Sequence, residues 1–303
     1  KGIPGVPHHL PKAKRVIVMW QGGGPSHVDL FDEKPMMQEM KGKDIPDTIR
    51  GTTRLSTMSS GYGKWPCQPA IKPFKKYGQA GIPLSEMLPN VGSIADEICL
   101  VRSMHTEAVN HAPGVTFFMT GTQVPGRPSM GSWISYGLGS ENENLPTFVV
   151  LPDHRGFASN GVKNWDAAFL PQQHSGTVIY PGTETPIADL FPHRKGEFVT
   201  RDSEAAAHAV MAKLNQAHAA SRAGDDRLDS RIRSYELAAR MQLAAPEALH
   251  LKAEPEHILK LYGANPEKPS FARNCLLARR LVERGVRFVQ LYDRGWDSHT
   301  NID

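Results

Sequence analysis

Across 303 residues, 40% hydrophobic and 22% charged side chains make the balance of an ordinary globular protein, which excludes wholesale disorder and leaves room for one large domain or two ordinary ones. A net charge of +4, without a long Lys/Arg block or a basic stripe interleaved with aromatics, excludes the usual footprint of nucleic-acid binding and is compatible with a small anionic substrate. Three widely spaced cysteines without a CxxC pattern exclude a disulfide framework or a zinc knuckle, and no stretch of about eighteen apolar residues offers a membrane span.

The chain opens at Lys1 rather than Met, on a Pro/Gly/His-rich lead, KGIPGVPHHLPKAK. Residues 1–14 are expected to be extended, and the missing Met is read as the mark of a processed or trimmed protein. The first strand spans Arg15 to Trp20 and runs into Gln21-Gly22-Gly23-Gly24-Pro25. Three glycines permit a sharp turn or a close backbone approach, but lack the spacing of nucleotide-binding loops. SHVDLFD follows, with Ser26 as a candidate helix cap. His27 and Asp29 are candidate ligands near the strand's carboxyl end, or residues that only satisfy the turn.

From Asp32 to Pro73 no period is sustained, and a short helix near Met36 to Met40 and a lid or hairpin near Thr52 to Trp65 are expected. Leu84, Met87, Leu88, Val91 and Ile94 recur at helical spacing, which predicts one helix or two short ones over Pro83 to Glu97. Ile98 to Val101 is a short apolar run that predicts a buried strand. The polar loop after it holds His105, Thr106, Glu107, Asn110 and His111, and Pro113 marks the first turn of a helix that ends at Gly121. That loop therefore sits at a helix N-terminus, where unpaired N–H groups favour anions; the alternative is a loop capped by Asn110 or His111.

Ser129 to Leu138 reads as a helix and Thr147 to Leu151 as a buried strand closed by PDHRG, either a site edge or a plain turn. Ala167 to Thr200 is loop-like, and Ser203 to Leu251 predicts two helices broken near Gly224. Ser270 to Gly285 keeps an apolar stripe through Phe271, Cys275, Leu276, Ala278, Leu281 and Val282, with Gly285 as the C-terminal stop. Val286 to Tyr292 alternates as a strand and ends in DRGWDSHTN. There Asp297 and His299 offer a carboxylate oxygen and an imidazole nitrogen that suit zinc or a similar divalent ion, with Asp293 as a third group. Strands alternating with helices predict a mostly parallel sheet covered on both faces.

Three motifs, QGGGPSHVDLFD, NHAPGVTFFMTG and GWDSHTN, carry a resemblance to the alkaline phosphatase and sulfatase superfamily, closest to its sulfatase-like branch called domain of unknown function 1501. It covers nearly the whole chain from Lys14 and implies residues 15–303 as the N-terminal portion of one three-layer α/β/α domain, with a C-terminal part beyond Asp303 holding further ligands. The resemblance places His111 where the superfamily carries its nucleophile, with Asn110 beside it holding the anion, and Asp297 and His299 where phosphatases bind one metal. Where the superfamily has an aspartate after its first strand this chain has Gln21 and Gly22, so His27 or Asp29 would stand in. The implied activity is metal-dependent hydrolysis of a sulfate or phosphate ester, for example of a modified saccharide, with zinc, calcium, magnesium or manganese as cofactor. The implied location is the periplasm or outside the cell. A non-catalytic exported binding or scaffold protein on the same fold is the alternative, and whether His111 acts as nucleophile, ligand or base stays open.

Overall fold

The computed structural model describes residues 9–51, 61–182, 186–187, 190 and 200–298. In chain order it contains β1 (Val16–Gly22), α1 (His27–Leu30), α2 (Met36–Glu39), α3 (Asp47–Arg50), β2 (Phe74–Tyr77), β3 (Ile82–Ser85), α4 (Pro89–Gly92) and α5 (His111–Thr120). There follow α6 (Met130–Leu138), β4 (Phe148–Leu151), β5 (Thr177–Val178), α7 (Arg201–Ala220), α8 (Asp226–Leu249), α9 (Glu256–Tyr262), α10 (Phe271–Glu283) and β6 (Phe288–Arg294). The described chain divides into two compact units, Lys1–Trp20 with Val115–Arg294, and Gln21–Gly114 with Gly295–Asp303.

The first unit is built on a four-stranded sheet in the order β1-β6-β4-β5, with β4 parallel to both β5 and β6. Phe148 pairs with Phe288 and Leu151 with Leu291, so alternate residues of the two central strands point to opposite faces. Val149, Leu151, Val289 and Leu291 pack with Leu276, Leu277 and Leu281 of α10 and Met241 of α8. Phe148, Val150, Phe288 and Tyr292 pack on the other face with Val115 and Met119 of α5 and Ile134 of α6. The result is an α/β fold with a mostly parallel sheet between helical layers, as a three-layer α/β/α arrangement requires. Residues 288–292 are all buried, so the alternation expected of this strand is absent. Both faces of a covered parallel strand must be apolar, and Gln290 enters only because its amide donates to Asn164 O and Tyr292 Oη.

Helix ends follow their local chemistry. Ser270 Oγ accepts from Arg273 N at 3.1 Å to start α10, and Ser129 Oγ accepts from Ser132 N at 3.2 Å to start α6. Each fully buried leucine of α10 contributes about 1.5–3 kcal/mol. The long helical span breaks as expected between α7 and α8, where Gly224 has φ +90° and Asp225 Oδ1 accepts from Leu228 N at 3.1 Å.

The second unit departs further from expectation. Instead of a helix from Pro83, the chain continues as strand β3, antiparallel to β2 with Lys76 opposite Pro83. Only the single turn α4 and a 3-10 turn over Ala95–Glu97 follow. Pro83 and Pro89 each lack an N–H, so a continuous helix through them would lose its ladder, while Leu84 gains full burial in the hairpin. The hairpin turn is fixed by Asp96, whose carboxylate accepts from Gln79 N at 2.8 Å and Ala80 N at 3.2 Å. Ile98 to Val101 is not a strand: Cys99 and Val101 are exposed and the run has no ladder partner among the described residues. Four apolar residues without a neighbouring strand bury too little surface to hold extended pairing. A short helix does form near Met36, as α2. Of the lid or hairpin expected over Thr52 to Trp65, residues 52–60 lie outside the described residues, as do parts of the loop expected over Ala167 to Thr200 and residues 1–8 of the lead. Residues 9–14 are exposed and without regular structure.

Candidate functional site

The chain leaving β1 and the chain leaving β6 close on each other. Trp296 N donates to Gly22 O at 3.1 Å. A Cβ on Gly23, whose φ is +114°, would fall 2.3 Å from Asp297 N. Only glycine permits both that backbone conformation and that approach, so the glycine run serves to seat Asp297. The sequence pattern signalled a close approach there but not its partner.

His111 is the first residue of α5, and the carbonyl of Asn110 accepts from Gly114 N at 3.0 Å, which makes Asn110 the residue before the first turn. Against that turn lies Asp297: His111 Nε2 and Asp297 Oδ2 are 2.9 Å apart, with side chains 54% and 42% exposed. A carboxylate accepts only, so the shared proton belongs on Nε2, and Nδ1 keeps the lone pair that a base or nucleophile needs. The exposure of both groups leaves the imidazole reachable by a substrate.

His27 and Asp29 lie on α1, begun by Ser26, whose Oγ accepts from Asp29 N at 3.4 Å. Asp29 Oδ1 accepts from Ile71 N at 2.9 Å and so fastens a loop 42 residues away. His27 is exposed and lies close enough to Asp32 to help lower the pKa of that carboxyl, behind the larger effect of the hydrogen bond from Lys34. His299 lies outside the described residues. Among the described residues no group of three or more His, Cys, Asp or Glu side chains is arranged to hold a metal ion. His111 and Asp297 touch as hydrogen-bonded partners, and two donors fall short of the three or four protein ligands of a zinc site.

Within the first unit, PDHRG forms an ion-pair clamp at the carboxyl ends of β4 and β6. Arg155 Nη2 reaches Asp153 Oδ2 at 2.6 Å and Asp293 Oδ1 at 3.0 Å, and Arg294 N donates to Asp153 Oδ2 at 2.6 Å. Burial alone would raise the Asp153 pKa. The Arg155 side chain and the backbone N–H groups of Arg294 and Arg155 overcome it and hold the carboxyl down at about 2. Asp293, read as a third metal group, is engaged by Arg155 here.

These features define an α/β protein with a histidine–carboxylate pair at the start of a helix. The chain belongs to the family described as protein of unknown function (DUF1501), whose sequence model matches residues 13–303. No curated protein and no solved structure matches it.

Proposed function

We propose that this protein is a sulfatase-like or phosphatase-like hydrolase of small anionic esters, such as a sulfated or phosphorylated saccharide, exported to the periplasm or beyond. The observation that carries this reading is the contact of His111 with Asp297, supported by the resemblance of the three motifs around them to the alkaline phosphatase and sulfatase superfamily. In this reading Nδ1 of His111 removes a proton from an attacking water, the ester oxygen–sulfur or oxygen–phosphorus bond breaks, and the departing alkoxide takes the proton back from the imidazolium. Asp297 holds the ring in the required tautomer and stabilises its charged form. Asn110 and the positive end of the α5 dipole hold the substrate's anionic oxygens.

A divalent metal, zinc first, belongs to the same reading, with Asp297 and His299 as its protein ligands. The described donors do not complete such a site. A metal would supply charge stabilisation of the ester oxygens. The second reading, a binding or scaffold protein without turnover, is favoured by a histidine standing where the superfamily has a serine, threonine or modified cysteine. Metal analysis with a screen of aryl sulfates and aryl phosphates tests both. Turnover that disappears in Asp297→Asn supports the hydrolase, and absence of turnover on either ester class with no stoichiometric metal gives the protein to the binding reading.

A further inference from the structure

A cavity of about 890 Å³ opens at the amino ends of β4 and β5, lined among others by Thr147, Phe148, Gly176 and Thr177. Its size lies within the roughly 300–1,000 Å³ of small-molecule sites. Leu237 and Met241 of α8 give it an apolar side, and Ser135 of α6, Gln173, His174 and Arg233 a polar one. None of these residues belongs to the pair at His111.

The polar side is organised but incomplete. His174 Nδ1 lies 2.9 Å from Ser135 Oγ, and His174 Nε2 lies 3.1 Å from the Gln173 amide. The other amide atom, Gln173 Oε1, is shut from water without a hydrogen-bond partner. A carbonyl left in that state costs about 1–3 kcal/mol, and the Gln173 amide nitrogen keeps a second hydrogen, beyond the one toward His174, for a ligand oxygen. Of the charged residues in the lining, Glu141 and Arg240 are already committed. Glu141 pairs with Arg15 at 3.1 Å and with Arg287 at 3.5 Å, and Arg240 Nε donates to Glu143 O at 2.7 Å. Arg233 differs: among the described residues its guanidinium has no hydrogen bond or ion pair. A planar five-donor fork without a carboxylate suits a bidentate oxyanion. Burial first, and the Arg233 charge second, lower the pKa of His174, so the ring meets a ligand as a neutral hydrogen-bonding group.

Beside this wall stands an exposed aromatic platform. Tyr136 meets the His174 ring edge-on at 5.4 Å between centroids, Trp133 meets Tyr136 at 6.3 Å, and Phe169 meets Trp133 at 5.9 Å. All three aromatics are exposed, and a contiguous ring cluster in water marks a binding surface more often than a packing residue. A hydroxylated ring presents an apolar face to such a platform and hydroxyls to groups like Gln173.

We propose that this cavity is a second binding site, for a sugar acid whose carboxylate sits on Arg233, whose hydroxyls meet Gln173 and Ser135, and whose ring lies against Tyr136. Titration calorimetry on the whole chain with D-glucuronate, D-glucose and inorganic sulfate tests it. D-glucuronate should bind one per chain, at least tenfold tighter than D-glucose or sulfate. Arg233→Gln, an exposed change on α8, should weaken it tenfold or more with an unchanged melting temperature, Tyr136→Ala should weaken it several-fold, and His111→Ala should leave it as it is. Absence of D-glucuronate binding, equal binding by Arg233→Gln, or loss in His111→Ala would each overturn the assignment. Sulfate as tight as D-glucuronate and indifferent to Tyr136→Ala would overturn the sugar acid in favour of a bare anion.

Discussion

His111 Nε2 and Asp297 Oδ2 are 2.9 Å apart although 186 residues separate them in the chain. With both side chains about half exposed, the pair contributes at most about 1 kcal/mol to stability. Its geometry therefore matters more to chemistry than to folding. Asp297→Asn should reduce ester hydrolysis by about 10²–10⁴-fold while moving the melting temperature by only a degree or two. An unchanged hydrolysis rate would remove the pair from the mechanism.

His111→Ala separates three roles by two measurements. A ligand lost should lower metal stoichiometry together with turnover, whereas a nucleophile or base lost should lower turnover by several orders of magnitude and spare the metal. We expect the second pattern, because the described contact of His111 is to a carboxylate. A residue that only begins the helix would cost roughly 1 kcal/mol of stability and leave turnover intact.

Gly23 and its neighbour Gly24 make a matched pair of substitutions. Both have positive φ, +114° and +86°, but an added Cβ at Gly24 meets nothing within 4 Å, while at Gly23 it meets the Asp297 backbone at 2.3 Å. Gly24→Ala should cost only backbone strain, about 1–2 kcal/mol. Gly23→Ala should cost more in urea denaturation and should also abolish most of the activity by displacing Asp297. Equal effects of the two would refute the seating role.

Acid should expose the clamp at Asp153. Its folded pKa of about 2 lies below the ordinary 3.8, so the stabilisation is fully present above about pH 4 and is lost as the pH falls through 2. The shift corresponds to about 2 kcal/mol. Asp153→Asn should therefore be destabilised by about that much at neutral pH and lose less stability than the parent between pH 4 and pH 2.

Arg280 offers a test of the helical layer. Its guanidinium reaches Glu254 and donates to Ala248 O at 2.9 Å and Glu247 O at 2.8 Å, closing the end of α8. Arg280→Met should cost about 3–5 kcal/mol, because it leaves the buried Glu254 carboxylate short of one cation and the Ala248 carbonyl without its donor, while Glu247 O keeps the bond from His250 N. Calorimetric unfolding of the variant measures it.

What the sequence determined by itself was every element whose signal is local. Ser129, Thr200, Asp225 and Ser270 each start a helix with their own side chains, Gly224 breaks one, and the apolar run around Val149 demands burial on both faces, as in a covered parallel sheet, whereas the full burial of 288–292 was decided by the helices on either side. The candidate residues His111 and Asp297 were also legible, as polar groups after apolar runs. Their contact was not, since no local pattern encodes an approach across 186 positions. Tertiary structure alone decided that Gly23 makes room for Asp297, that Asp29 holds the backbone of Ile71 and that Asp153 and Asp293 share Arg155. It also overruled helical spacing after Pro83, because a hairpin partner supplies the hydrogen bonds that proline denies a helix, and the strand expected at Ile98, because no described neighbour pairs with it.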